Sequence, residues 1–125
     1  TYEERDFQFE TNQQEENNAL HGLVFNKTFK VLKQKADNNS ATITLEYVEN
    51  NESKGFPYTY SIQLTYMFTQ DAVSLNFIVK NTDSKPFPFT VEPTTGVSDS
   101  FNTKIGLQVL KSNHSYDITW SLKIN

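Results

Sequence analysis

A chain of 125 residues has the length of one domain, with 14% aromatic residues to fill a core, 21% charged residues and a net charge of −4. That balance excludes a disordered polyanion binder. The densest basic group, Lys27, Lys30, Lys33 and Lys35, is too sparse for nucleic acid. There is no cysteine, hence no disulfide framework, thiol nucleophile or thiolate metal site, and no apolar run is long enough to span a bilayer.

Taken in chain order, Phe7 and Phe9 offer a short strand, and Asn12 to Asn18 reads as a solvated polar loop. Phe29 and Val31 lead a strand that ends at the polar turn Asp37-Asn38-Asn39-Ser40. Ala41, Ile43, Leu45 and Tyr47 then alternate with Thr42, Thr44 and Glu46, which predicts a hairpin. The clearest strand runs from Tyr58 to Thr69, with Tyr58, Tyr60, Ile62, Leu64, Tyr66 and Phe68 on one face. Val73, Leu75, Phe77 and Val79 repeat the pattern, and Gln70-Asp71-Ala72 is short enough to close a second hairpin. Phe87 and Phe89, then Ile105, Leu107 and Val109, supply shorter candidates. Tyr116, Ile118, Trp120, Leu122 and Ile124 predict a last strand that is central or well docked. Seven to nine strands with turn-rich joints predict an all-β fold, an antiparallel β-sandwich formed as one domain over residues 1–125.

The stretch from Glu92 to Lys104 is long for a connection in so small a domain, and long loops often carry function. With two histidines a three-histidine metal site is impossible, and neither a nucleophile-elbow sequence nor a Gly-rich phosphate loop is present. No metal and no cofactor is expected. Four Asn-x-Ser/Thr sequons begin at Asn26, Asn38, Asn51 and Asn113, in a chain rich enough in these residues to produce them by chance. His21, between a polar loop and an apolar segment, reads by itself as structural or surface-exposed, and His114 in a turn as inert. Glu92, where a strand gives way to the long loop, is either a solvated acid or, if desolvated, a general base. Phe56, Tyr58 and Phe101 read either as core or as a sugar-stacking platform.

Two separated segments add a resemblance. Asn17-Asn18-Ala19-Leu20-His21-Gly22-Leu23-Val24-Phe25-Asn26 resembles the asparagine-rich Leu-His-Gly segment of the aldose 1-epimerases, or galactose mutarotases. Glu92-Pro93-Thr94-Thr95-Gly96-Val97-Ser98-Asp99-Ser100-Phe101-Asn102, followed by Gly106-Leu107, Tyr116 and Trp120, is similar to that family's C-terminal segment. Gly55-Phe56-Pro57-Tyr58 and Asn81-Thr82 through Pro86-Phe87-Pro88-Phe89 also fit its strand pattern, in collinear order.

The resemblance implies a reduced mutarotase-like sandwich that interconverts the α and β anomers of a free aldose. In it Glu92 is the base, His21 the histidine that hydrogen-bonds the sugar near its ring oxygen, and Asn18 and Phe101 line the sugar site. The family's Gly-Trp-His-Pro-Tyr-Phe type motif, which carries the usual acid histidine, has no counterpart, and its arginine segment is matched only loosely, at Arg5. The chain thus reads as a family member without a large central block: a natural reduction, an engineered deletion or an incomplete record of a longer protein. A monosaccharide partner and a cytoplasmic location are implied, with neither nucleic acid nor membrane as partner. Self-association through strand edges is expected of a shortened sandwich. From other classes, a non-catalytic carbohydrate-binding module and a plain interaction sandwich remain as alternatives.

Overall fold

The structure is a computed structural model that describes residues 7–91 and 103–124. Its strands are β1 (Lys30–Ala36), β2 (Ser40–Asn50), β3 (Thr59–Thr69), β4 (Ala72–Asn81), β5 (Phe87–Phe89), β6 (Gln108–Leu110) and β7 (Ser115–Lys123). A five-stranded antiparallel sheet has the order β1-β2-β3-β4-β7, and β5 and β6 form a small second sheet. The expected all-β antiparallel architecture is what the chain adopts.

Both expected hairpins form. Asp37 closes β1 to β2 by accepting the amides of Asn39 and Ser40, each at 2.9 Å. These bonds, with the Ser40 hydroxyl, hold the Asp37 carboxyl below the usual carboxylate range. At the β3–β4 turn the Thr69 hydroxyl donates to Asp71 at 3.1 Å. Strict period-two alternation then sorts the large sheet into two faces. On the polar face Thr44 pairs with Thr65 at 3.1 Å, Ser74 with Ser121 at 2.8 Å, and Asn76 donates to Asp117 at 2.6 Å. On the apolar face, residues opposite one another in the ladder form rows: Tyr47, Ile62, Val79 and Tyr116; Leu45, Leu64, Phe77 and Ile118; Ile43, Tyr66, Leu75 and Trp120; Ala41, Phe68, Val73 and Leu122.

Among the described residues, the core cluster sits at one end of that face. The buried cluster comprises Phe56, Tyr58, Tyr60, Ile62, Val79, Phe87 and Leu110, with Phe7, Phe9, Leu23, Val24, Phe29 and Phe89 against it. Phe56 is the hub, its ring 4.9 Å from Tyr58, 5.9 Å from Tyr60 and 5.4 Å from Phe87 in edge-on contacts. Phe7 and Phe9 therefore belong to the core without forming the short strand that their spacing suggested.

Two elements differ from expectation. Among the described residues β7 is an edge strand, paired with β4, with Leu122 69% exposed; alternation reports that a strand has an apolar face, not where it stands in the sheet. In β6 the buried residue is Leu110, while Val109 and Ile105 are exposed. The phase is set by Phe87, whose ladder partner is Leu110, and not by the spacing of Ile105, Leu107 and Val109.

Glu49 lies on the core face of β2 with no solvent exposure. Burial would raise its carboxyl, but the Ser53 hydroxyl, the Glu52 amide, the Tyr47 hydroxyl at 2.9 Å and the Ser53 amide at 3.3 Å together hold it below the usual range. Tyr47 is correspondingly pushed up to about 12, by burial and by the Glu49 carboxylate. A group with a depressed folded-state pKa stabilises above its unfolded value and loses that contribution as pH falls through the folded one. Replacing Glu49 by Gln is expected to cost about 2–3 kcal/mol at neutral pH, the worth of hydrogen bonds to a buried charge. In urea titrations its deficit relative to the parent chain should shrink as pH falls below about 4.

Gly55, at φ +79°, tests the following loop. A Cβ there would collide with the backbone carbonyl of Gln8, whereas one on Gly22, at φ +68°, meets nothing. Gly55→Ala should therefore cost clearly more than the ~1 kcal/mol of left-handed strain expected for Gly22→Ala, read as paired thermal melts.

Candidate functional site

Asn12 organises the segment that carries His21. Its side-chain amide donates to the Leu20 carbonyl at 2.8 Å, and its side-chain oxygen accepts the Leu20 amide at 2.7 Å. Inside this bracket Gln13 and Asn18 bridge: the Asn18 amide donates to the Gln13 carbonyl and the Gln13 amide to the Asn18 carbonyl, both at 3.0 Å. The expected solvated loop is thus a closed excursion with a fixed base. Asn17 takes a left-handed conformation at its tip, φ 54°, a conformation that asparagine tolerates better than most residues.

His21 follows directly and is itself left-handed, φ 67°, with Gly22 at φ 68°. Two successive positive φ values turn the chain sharply before Leu23 and Val24 dock on the core. The imidazole stays exposed and lies 5.8 Å from the Phe25 ring, itself 55% exposed. Asn18 is exposed too, donating from its side chain to Glu16 at 3.3 Å.

Beside them opens a cleft of about 370 Å³, walled by Phe9, Glu10, Thr11 and Asn12, by Leu20, Gly22, Leu23, Phe25, Asn26 and Lys27, and by Glu52, Ser53 and Lys54. Its lining mixes aromatic rings, amides, carboxylates and ammonium groups. Leu20 and Gly22, the two neighbours of His21, line it, while His21 and Asn18 stand outside the lining. Its third wall is the Glu49-anchored loop, so the buried carboxylate also fixes the position of Glu52 and Ser53.

Of the residues singled out in sequence, Asn18 and His21 share one loop, whereas Glu92, Phe101 and Arg5 lie outside the described residues. Phe56 and Tyr58 are 8% and 7% exposed, with ring planes 63° apart. They are core, which removes them as a stacking platform. Among the described residues no three His, Asp or Glu converge to hold a metal ion, and no helix is long and apolar enough to cross a membrane. Asn12, which lines the cleft and holds the His21 loop, and Glu49, which anchors its third wall, were missed in sequence. Glu49 did leave a signal: it has the same parity as Ile43, Leu45 and Tyr47 and is thus a charge on an apolar face.

The family model described as aldose 1-epimerase matches residues 1–92, and the chain belongs to that family. No curated protein and no solved structure matches the chain.

The bracket at Asn12 carries a direct consequence. Asn12→Ala removes both bonds to Leu20, so the Leu20 amide should exchange with deuterium at least tenfold faster, while amides of β3 keep their protection.

Proposed function

We propose that the chain acts on a free cyclic aldose as a mutarotase, with Glu92 as base and His21 as the group that hydrogen-bonds the ring oxygen. What carries the reading is the family match, which spans the His21 loop and runs to Glu92. Two features of the fold support it. Leu23, two residues beyond His21, and Phe89, three before Glu92, pack against the same core cluster. The His21 imidazole is solvent-exposed at the edge of a sugar-sized cleft, held there by a hydrogen-bonded loop base.

The chemistry is balanced without a cofactor. The Glu92 carboxylate takes the proton of the anomeric hydroxyl; the C1–O5 bond breaks as the C1 carbonyl forms, and the ring oxygen receives a proton from His21, which here stands in for the acid histidine whose motif the chain lacks. Rotation about C1–C2 presents the other carbonyl face. The ring oxygen then attacks it, and both protons return along the same routes. Asn18 and Phe101 would complete the pocket, the first through its amide and the second by stacking on the sugar face. The reaction needs no compartment-specific partner, and we place it in the cytoplasm.

Anomeric equilibration of freshly dissolved α-glucose and α-galactose, followed by proton NMR, tests this. The chain should exceed buffer, Glu92→Gln should remove about 10²- to 10⁴-fold of the excess, and His21→Gln should lower it at least tenfold. Rates equal to buffer in the parent chain would sink the proposal.

A further inference from the structure

Phe9 and Phe25 both line the cleft, and they are held differently. Phe9 packs on the core, its ring 6.3 Å from Phe56. Phe25 stands outside the core cluster and is 55% exposed, although Leu23, Val24 and Phe29 on either side of it all pack there. The local backbone explains the difference. The Lys27 amide donates to the Val24 carbonyl at 3.2 Å, which makes Phe25 and Asn26 the two central residues of a β-turn, both exposed. That turn is pinned at both ends, by Val24 against the core and by the half-buried Lys27, whose ammonium lies 6.0 Å from the centre of the Tyr47 ring. The exposed ring thus stands on a fixed base, 5.8 Å from the His21 imidazole. We infer that Phe25 is the platform on which a pyranose stacks when its ring oxygen faces His21, an inference that rests on the mutarotase reading above.

The chemistry of a pyranose matches this arrangement. Its faces carry C–H groups and its rim carries hydroxyls, so it takes an apolar plane beneath it and hydrogen-bonding groups around it. Phe25 offers the plane. The rim groups are Asn26 and Lys27 on the same turn, and Glu52 and Lys54 on the wall anchored by Glu49. Glu10 and Glu52 offset Lys27 and Lys54, so the lining suits a neutral ligand better than an anion. A sugar in van der Waals contact with Phe25, about 4 Å above it, comes within contact range of an imidazole 5.8 Å from the same ring. The stacking ring is then the one that the turn exposes, and not the buried Phe56 or Tyr58.

Methyl β-galactopyranoside, whose locked anomeric centre can bind but cannot open, separates binding from turnover. In NMR titrations of the full chain, Phe25→Leu, which removes the ring and keeps an apolar side chain, should weaken its binding about threefold to tenfold. The KM for galactose mutarotation should rise by a similar factor, with kcat kept within about twofold. Phe25→Tyr should restore both, and Phe68→Leu, at an exposed ring distant in the sheet, should bind like the parent. Unchanged affinity and KM in Phe25→Leu would overturn the platform and leave the mutarotase reading standing. Binding that depends on Phe25 without any acceleration of mutarotation would uphold the platform and sink that reading. A parent chain that neither binds the glycoside nor accelerates mutarotation would overturn both.

Discussion

The fold turns on the side chain of Asn81. At the last position of β4 it is fully buried, and its amide donates to the carbonyls of Lys85 and Leu110, each at 2.8 Å, while its oxygen accepts the Asp83 amide at 2.7 Å. Its backbone amide donates to the His114 carbonyl at 3.0 Å. One residue thereby joins the large sheet to the chain entering β5, to the end of β6 and to the turn before β7. A buried amide robbed of these partners would cost the full desolvation penalty of each group left unpaired, about 1–3 kcal/mol apiece. Asp83 extends the same knot, accepting the Thr59 amide at 3.1 Å and the Lys85 amide at 3.0 Å. Burial works to raise its carboxyl, and these amides with Ser84 keep it low.

From that knot follows the asymmetry of the molecule. Because β5 and β6 are tied to the Asn81 end of the sheet, Phe87 and Leu110 cluster with Tyr60, Ile62 and Val79, while Tyr66, Leu75 and Trp120 stay half-buried and Phe68 exposed, outside that cluster. The covered end is also where Phe7, Phe9, Leu23 and Val24 dock, and with them the His21 loop and its cleft. A hydrogen-bonded base fixes the His21 loop at one end, and at the other the last two rows of the apolar face stand outside the core cluster among the described residues.

Much of this was legible in the sequence because period-two alternation is a local signal. β2, β3, β4 and β7 and both hairpin turns could be read from a dozen residues at a time, and the Leu-His-Gly loop pointed to the family that matches residues 1–92, while the segment after Glu92 lies beyond that match. What was hidden depends on partners distant in the chain. Asn81 looks like any strand-ending asparagine until Leu110, 29 positions away, supplies a carbonyl. The phase of β6 follows Phe87 rather than its own spacing, and β7 carries a perfect alternation yet stands at the edge. The left-handed turn at His21 and Gly22 was legible only in the glycine.

The central claim is that His21 and Glu92 serve one sugar site, and binding tests it apart from turnover. Isotope-labelled chain titrated with galactose should show saturable NMR shifts at the His21 ring and the Glu92 amide that fit a single dissociation constant, with β3 amides around Phe68 unmoved. Shifts at one of the two residues without the other, or at neither up to saturating sugar, would contradict a shared site.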